Sequence, residues 1–415
     1  MRKIVSLSLM PSTTAVPKTP LDSSNSGRSP AVRQPYGIFF EVQLEMTDKD
    51  PVIVAVVEGG GTSFIAAVAE VLTTKDPTSV PKILHRIEVD SSHGKPVQTI
   101  EECCSFFEKY KPKDGYHALG VATFGPVGLD QTKSNYGCIL AGTPKQAWRN
   151  FDLLTPLSRA CRGSRPFAVS IETDVNAPAL AEYQLVKDAF SSVAYITVGT
   201  GIGVGLVIHG QPVHGRMHPE GGHVPVQPLE GDQFPGYSWG DKSPFKGVRT
   251  VEGLASSVAL TERLEMMLGQ KNLSRNCLAD LDDNHEVWDH AANALANLCV
   301  TLILTTSVEK IVIGGGIMKR KGMIEKIRQR AVLLLNGYLE LPSDMSEWIT
   351  TSKYGNDVGL TGALVLAQRA YATGKAPLSN NSSISPFLWG VIHGLPLGVA
   401  AGVVLAMILT KSRSK

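Results

Sequence analysis

The sequence predicts an α/β fold with an internal duplication, followed by one hydrophobic segment near the C-terminus. A strand, a glycine-rich loop and a second strand occur at 52–71, and the same succession returns at 194–209. Around these two hairpins, short apolar runs typical of buried strands alternate with longer runs typical of helices. The segment 386–410 has no charged residue. These observations predict a duplicated α/β body and a separate terminal helix.

Each element of that body is predicted from a run of apolar residues and from the residues that interrupt it. The strands are short apolar runs that end in glycines or polar residues, whereas the helices are longer. The predicted strands are 52–57, 64–71, 118–123, 167–171, 194–198, 204–209 and 310–313. The predicted helices are 96–110, 151–161, one with Pro178 in its first turn, 250–268, 285–307 and 359–373.

The composition is that of a globular chain large enough for two or three domains. The 415 residues are 43% hydrophobic and 19% charged, and the net charge is +2. No basic stripe stands out, which argues against a dedicated nucleic-acid binder. The six cysteines form no CxxC pair, so they are predicted to be buried, reduced thiols of a protein that faces the cytosol.

The N-terminal segment 1–48 differs in composition from the body. It is rich in Ser, Thr and Pro and carries more basic than acidic residues. It is predicted to be a disordered leader, with a weak targeting segment as the alternative, because no clean amphipathic helix is visible. Met46 lies just before the first predicted strand and is an alternative start of the chain.

The C-terminal segment 386–410 is predicted to be a transmembrane tail anchor, joined to the body by a linker at 377–385. As a helix at ~1.5 Å per residue it would span roughly 35 Å, enough to cross a hydrocarbon core of about 30 Å. Gly394, Gly398 and Gly402 recur every fourth residue and could form a close helix–helix face. The alternative is a buried core helix, although such helices seldom run this long without a charge. The anchor would leave the body in the cytosol, on a mitochondrial, plastid or peroxisomal outer membrane or on the ER.

The loops of the two hairpins are candidates for binding phosphate groups. Glycines let backbone N–H groups crowd around phosphate oxygens without obstruction by side chains. Neither loop opens a helix, so neither is a Rossmann fingerprint or a Walker A motif. An ordinary tight turn is the alternative for each loop alone, and their repetition makes that alternative less favourable.

Polar residues near these loops suggest a small polyhydroxy substrate. Asp174 follows a predicted strand, where it can cap the next helix or accept the proton of a sugar hydroxyl during phosphoryl transfer. The cluster 218–223 has the polar groups of a sugar-sized site. Glu252 falls in the first turn of a helix, where the helix dipole favours a carboxylate. The glycines at 314–316 make room for a nucleotide or form a tight turn.

Seven separated motifs together resemble those of the ROK sugar kinases, and within them the bacterial-type fructokinases. In order they are EGGGTSF, NYGCILAGTPKQAW, ETDVNAPALAEY, TVGTGIGVG, HPEGGH, VEGLASS and VIGGGI, and the resemblance covers roughly 51–374. It implies an actin-like ATPase (ribonuclease H-like) fold with two α/β lobes, at 51–185 and 186–376, around a cleft for ATP and Mg²⁺. It also implies a hexose substrate and a homodimer.

The resemblance assigns roles to individual residues as well. By motif, Asp174 would be the catalytic base that takes the proton from the 6-hydroxyl of fructose. The residues implied to bind the sugar or to shape its pocket are Thr143, Lys145, Asn176, Glu220, His223 and Glu252. Those implied to hold the phosphates and the adenosine side of ATP are Glu58, Gly59, Gly60, Gly61, Thr62, Gly199, Thr200, Gly201, Gly203, Gly314, Gly315 and Gly316.

The sequence departs from the family pattern at two places. Ser63 stands where the first loop of relatives commonly has lysine. ROK proteins usually bind a structural Zn²⁺ through the histidine of the GH pair and three cysteines, but no cysteine occurs between His223 and Glu252. Because a tetrahedral zinc site needs four ligands, zinc is predicted to be absent. Aromatic packing is expected to hold that loop instead, through Tyr237, Trp239 and Phe245.

The leading hypothesis is an ATP-dependent fructokinase that converts D-fructose to fructose 6-phosphate. A ROK hexokinase acting on glucose or mannose is the alternative in the same class, because the shape of the pocket decides the choice of hexose. A non-catalytic, sugar-sensing pseudokinase tethered to a membrane is the alternative from another class, and the intact Asp174 disfavours it.

Overall fold

A computed structural model describes residues 51–71, 81–240 and 245–374 of the chain. These residues belong to one compact unit, which begins at Asp48. The predicted leader at 1–48 and the predicted linker and anchor at 377–410 lie outside the described residues.

The described residues form twelve strands and nine α-helices. The strands are β1 Val52–Gly59, β2 Ser63–Val71, β3 Lys82–Asp90, β4 Ala118–Thr123, β5 Cys138–Ile139, β6 Phe151–Asp152, β7 Ala168–Thr173, β8 Ser192–Val198, β9 Ile202–Ile208, β10 Gln211–Pro212, β11 Lys310–Gly314 and β12 Ile349–Thr351. The helices are α1 Pro96–Tyr110, α2 Leu154–Cys161, α3 Asn176–Val186, α4 Val251–Ala255, α5 Ser257–Leu268, α6 Cys277–Asp280, α7 Val287–Thr306, α8 Met323–Leu335 and α9 Val358–Thr373.

Two five-stranded sheets repeat the same topology. The first has the order β3-β2-β1-β4-β7 and the second has the order β10-β9-β8-β11-β12. In each sheet the glycine hairpin is antiparallel, and the next two strands run parallel to the first strand of that hairpin. The internal duplication predicted from the two hairpins is therefore confirmed.

Three hydrophobic cores arrange these sheets and helices in layers. One core joins the first sheet to α1 and α2, and another joins the second sheet to α7 and α8. The third core contains residues of both sheets together with α3 and α9, which lie between them. Along β1, Val54 and Val56 belong to the central core while Ala55 and Val57 belong to the outer one, as expected for a strand that is buried on both faces.

The two central helices cross the predicted boundary between the lobes. α3 belongs to the predicted range 51–185 but packs on β8 and β9, whereas α9 belongs to 186–376 but packs on β1, β4 and β7. Each predicted range therefore holds one sheet, while one helix from each range packs on the sheet of the other. Both contacts are close because a glycine faces the helix backbone: a Cβ on Gly120 would overlap the Ala363 carbonyl, and one on Gly205 would overlap the Val175 carbonyl.

Two predicted helices differ from the observed ones. The helix predicted at 151–161 begins only at Leu154, because Phe151 and Asp152 pair with β5. The helix predicted at 250–268 is broken at Ser256, whose backbone is extended and whose hydroxyl accepts a hydrogen bond from the Ala259 N–H. Its first piece, α4, is capped in the same way by Thr250.

Within the described part of the chain, α7 is the helix whose length and composition would allow it to cross a membrane. Its most apolar stretch is 67% buried inside the protein. α7 packs against α8 and α4, so it is a core helix of the second lobe.

Candidate active site

The first glycine loop, between β1 and β2, is held by a lysine that lies 85 residues further along the chain. The loop is closed by a hydrogen bond from the Gly60 N–H to the Ser63 carbonyl, at 2.9 Å. The Lys145 ammonium donates to the Gly60 carbonyl at 2.9 Å and lies 3.5 Å from the centre of the Phe124 ring. Burial lowers the pKa of Lys145 to about 8, and the charge of Asp174 partly opposes this effect. Lys145 thus supplies a cation at this loop, in which Ser63 stands where the family resemblance implies a lysine.

Asp174 follows β7 directly and is fixed at the carboxyl edge of the first sheet. Its N–H donates to the Thr123 carbonyl at 2.8 Å, which places it beside the end of β4. Desolvation raises the pKa of Asp174 to about 6, while the Lys145 ammonium lowers it. Asp174 does not cap α3, because the Asn176 N–H donates to Thr173 Oγ1 instead, at 3.0 Å. The structure therefore does not show the capping role of Asp174, and its role as a proton acceptor stays a prediction.

Glu58 lies near the end of β1, just before the first glycine loop, and faces the same region as Asp174. Its Oε2 is buried and has no hydrogen-bond partner among the described residues. Desolvation and then the charge of Asp174 raise the pKa of Glu58 to about 7. A bound cation would stabilise such a buried carboxylate, which has an unpartnered oxygen and a pKa that a neighbouring carboxylate raises.

Thr143 and Asn176, predicted to shape the sugar pocket, are completely buried. The Asn176 amide donates to Glu172 Oε2 at 3.1 Å and accepts from the Leu206 N–H at 3.0 Å. It therefore ties the start of α3 to β7 in one lobe and to β9 in the other. The Thr143 carbonyl accepts a hydrogen bond from Arg149 Nε at 3.1 Å, which fixes the loop that carries Lys145.

Glu252 holds the second glycine loop, between β8 and β9, from the start of α4. Its Oε2 accepts a hydrogen bond from the Ile202 N–H at 2.9 Å, and its Oε1 accepts one from Trp239 Nε1 at 2.7 Å. The side chain is buried. Both oxygens already have a protein donor, so any sugar hydroxyl at Glu252 would share an acceptor with Ile202 or Trp239.

The polar cluster after β10 contains Glu220 and His218. His218 Nε2 accepts from the Val127 N–H at 3.2 Å, and its Nδ1 lies 3.5 Å from Glu220 Oε1. Burial lowers the pKa of His218. Desolvation, followed by the charges of Asp174 and Glu252, raises the pKa of Glu220 to about 7. The charge of Asp174 therefore affects the protonation of this cluster at Glu220.

Aromatic side chains pack the segment between His223 and Glu252, for which the family resemblance implies zinc binding. The His223 ring lies 4.6 Å from the Phe245 ring, and the rings of Tyr237 and Trp239 meet edge to face at 5.6 Å. These are the contacts expected from the sequence. Across the described ranges, no cluster of three or more His, Cys, Asp and Glu residues is arranged to hold a metal ion. The absence of zinc stays a prediction.

β11 ends at Gly314, and Gly316, two residues further on, lines a cavity of about 480 Å³. Its walls include Leu278, Trp288, Ile317 and Arg320, and the guanidinium of Arg320 lies 4.5 Å from the centre of the Trp288 ring. Such a slot, apolar on one side and cationic on the other, suits the base and ribose of a nucleotide.

Sequence reasoning missed two polar contacts near the site. Arg275 Nη1 donates to Thr200 Oγ1 at 2.9 Å and places a cation beside the second glycine loop. His214 Nε2 lies 2.7 Å from Glu172 Oε1, two residues before Asp174. No signal in the sequence announces either contact, because the partners are far apart along the chain and belong to no common motif.

Comparison with known proteins shows which family and which relatives this chain is similar to. A family model described as the ROK family matches residues 54–370. A fructokinase of Zymomonas mobilis subsp. mobilis is 35% identical over 328 residues, which is 77% of this chain and 98% of the relative. A fructokinase of Streptococcus mutans serotype c is 32% identical over 318 residues, which is 76% of this chain and 97% of the relative.

Two solved structures share the fold. A ROK hexokinase from Thermus thermophilus has a TM-score of 0.58 at 23% identity and covers 78% of this chain and 100% of that one. A ROK family glucokinase from Streptomyces griseus, in complex with glucose and AMPPNP, has a TM-score of 0.54 at 21% identity over 77% of this chain and 100% of that one. The actin-like ATPase fold predicted from the motifs is thereby confirmed.

Proposed function

Because the chain belongs to the ROK family, we propose that it is an ATP-dependent kinase that phosphorylates the 6-hydroxyl of D-fructose. The observation that carries the proposal is the position of Asp174, a carboxylate with a raised pKa beside the glycine loop that Lys145 holds. Fructose is favoured as the substrate because the relatives that match over nearly their whole length are fructokinases.

The proposed reaction uses Asp174 to make the sugar hydroxyl a better nucleophile. The carboxylate accepts the proton of the 6-hydroxyl as its oxygen forms a bond to the γ-phosphorus, and the bond between that phosphorus and the β,γ-bridging oxygen breaks to release ADP. With a pKa of about 6, Asp174 is ionised at neutral pH and is more basic than an ordinary aspartate. The N–H groups of the two glycine loops and the Lys145 ammonium would stabilise the charge on the phosphate oxygens.

Glu58 and Asp174 fit the Mg²⁺ that accompanies ATP. Mg²⁺ is usually bound by one or two carboxylates together with waters and substrate phosphates. The buried Glu58 Oε2 without a partner is such a ligand, and it faces the charge of Asp174. When bound, Mg²⁺ would neutralise negative charge on the β- and γ-phosphates.

ATP-dependent phosphorylation of fructose, glucose and mannose by the full-length protein tests the proposal. We expect turnover with fructose, and a kcat/KM for fructose above that for the other two sugars. Preference for glucose or mannose would replace fructokinase by the alternative hexokinase. Absence of turnover with all three hexoses would contradict the kinase proposal and leave the non-catalytic alternative.

The pH dependence of kcat/KM is expected to be bell-shaped, with limbs near pH 6 and pH 8. Below the pKa of Asp174, which desolvation raises to about 6, the base is protonated and activity falls. Above the pKa of Lys145, which burial lowers to about 8, the cation beside Gly60 is lost. Lys145→Arg should move the alkaline limb out of range, because a guanidinium stays protonated, and should keep the acid limb. An unchanged alkaline limb in this variant would contradict the role of Lys145.

We further propose that the enzyme is anchored to a membrane by 386–410, with the kinase facing the cytosol, and that it forms a homodimer. The anchor rests on the uncharged apolar run in the sequence. Alkaline carbonate should extract a protein truncated after residue 376 from membranes and leave the full-length protein behind. If carbonate extracts both proteins equally, the anchor is wrong. Light scattering of the truncated protein tests the dimer.

A further inference from the structure

A second cavity, of about 380 Å³, lies between the edge strands of the two sheets, β7 and β10, and the last turns of α9. It is distinct from the proposed active site. Gly359, in the first turn of α9, lies against Glu58, and Arg369 in the cavity wall lies about 15 Å further along the helix, at 1.5 Å per residue. The volume is within the range of small-molecule pockets.

Arg369 places an incompletely bonded cation in the wall of this cavity. Its Nη2 donates to the Gly210 carbonyl at 3.0 Å and to Gln211 Oε1 at 3.1 Å. Its Nη1 is buried and has no acceptor among the described residues. A buried guanidinium nitrogen without an acceptor is costly. Nη1 itself has almost no exposed surface, so an anionic group would have to displace its neighbours slightly to reach it and remove that cost.

Glu172 and His214 form an ion pair on another side of the same cavity. Their atoms Oε1 and Nε2 are 2.7 Å apart, and Glu172 is 4% exposed. The hydrogen bond to Glu172 raises the pKa of His214, although desolvation opposes it. The charge of Glu172 acts on Arg369 as well. When His214 is protonated, the three charged groups in the wall, Arg369, His214 and Glu172, sum to a charge of +1. Residues with hydroxyl and amide groups complete the polar part of the wall: Gln131, Tyr136, Ser170 and Thr373.

We propose that this cavity is a second ligand site, which binds a small anion carrying several hydroxyl groups, such as a sugar phosphate or a sugar acid. Arg369 binds the anionic group, and the hydroxyl and amide side chains bind the polyol. The ligand acts on catalysis through Glu172, which accepts a hydrogen bond from Asn176 on the far side of Asp174. It also contacts β7 of one lobe and the segment after β10 of the other, so it biases their relative position. The effect on catalysis rests on the proposed kinase function, whereas binding itself does not.

Titration calorimetry of the full-length protein tests the site. Fructose and a non-hydrolysable ATP analogue are kept saturating, so that the active site is occupied, and the probes are fructose 6-phosphate, gluconate and orthophosphate. We expect fructose 6-phosphate or gluconate to bind the wild type and to bind Arg369→Gln at least about tenfold more weakly, as for a lost charged hydrogen bond. Arg159→Gln removes an exposed arginine and should bind like the wild type.

A second variant separates ligand binding from a purely structural role of Arg369. Ser170→Leu narrows the cavity and leaves Arg369 and its bonds to Gly210 and Gln211 in place. It should lose binding with a Tm near that of the wild type.

Failure of both organic probes to bind, or equal binding by all variants, overturns the proposal. Arg369-dependent binding of orthophosphate alone overturns the hydroxylated ligand class. A parallel hexose phosphorylation assay separates the outcomes: turnover without cavity binding defeats only this site, and cavity binding without turnover defeats only the kinase proposal.

Discussion

Asp174→Asn should lower kcat for hexose phosphorylation by roughly 10²- to 10⁴-fold, the usual contribution of a general base. The amide has the size of the carboxylate and keeps the backbone hydrogen bond to the Thr123 carbonyl, so the fold around it is expected to persist. What it loses is the ability to accept a proton from the sugar hydroxyl. Steady-state kinetics at saturating ATP, together with the Tm of each variant, measure the effect.

The control for this substitution is Asp188→Asn, which makes the same chemical change at an exposed position and should leave kcat unchanged. The Tm of Asp174→Asn should not fall at pH 8, because the raised pKa of Asp174 shows that burying its charge is unfavourable. The acid limb of the pH profile should also vanish from whatever activity remains. Wild-type kcat in Asp174→Asn would contradict the assignment of the base, even if the hexose panel supports a kinase.

The central elements of the fold are predictable from the sequence because their patterns are local. The first strand of each hairpin, β1 and β8, is a largely apolar run that meets a glycine at its carboxyl end, and α1 starts at Pro96 as predicted. β3 was missed because it is an outer strand with mostly exposed residues, so it has no apolar run. α8 was missed as well, although its buried residues Met323, Ile327, Ala331 and Leu335 recur every fourth position, as in an amphipathic helix.

The sequence predicted where the candidate residues lie along the strands and helices, but not their hydrogen-bond partners. The motifs placed Asp174, Glu58 and Glu252 correctly on strand and helix ends. They did not reveal that the Lys145 ammonium would bind the Gly60 carbonyl, because this contact joins loops 85 residues apart. The packing of α3 on the second sheet and of α9 on the first could not be predicted either, because it joins distant parts of the chain. It depends on glycines in the strands that face helix backbones, and in the sequence these glycines look only like interruptions of a strand.

Gly205→Ala should destabilise the protein by about 1–3 kcal/mol, the usual cost of overpacking, and lower the Tm by a few degrees. A Cβ at this position in β9 would overlap the Val175 carbonyl and lie 2.7 Å from the Asn176 nitrogen. All of these atoms are backbone, so no side chain can rotate away and β9 must separate from the start of α3.

The same substitution should also lower kcat, because Val175 follows the base and its displacement moves Asp174. Differential scanning calorimetry and kinetics on Gly205→Ala are compared with Gly215→Ala, where a Cβ meets nothing within 4 Å. The control should match the wild type in both measurements. If the two variants have the same Tm and the same kcat, β9 and α3 do not need to approach so closely. The packing of α3 between the two sheets would then not be what fixes the position of Asp174.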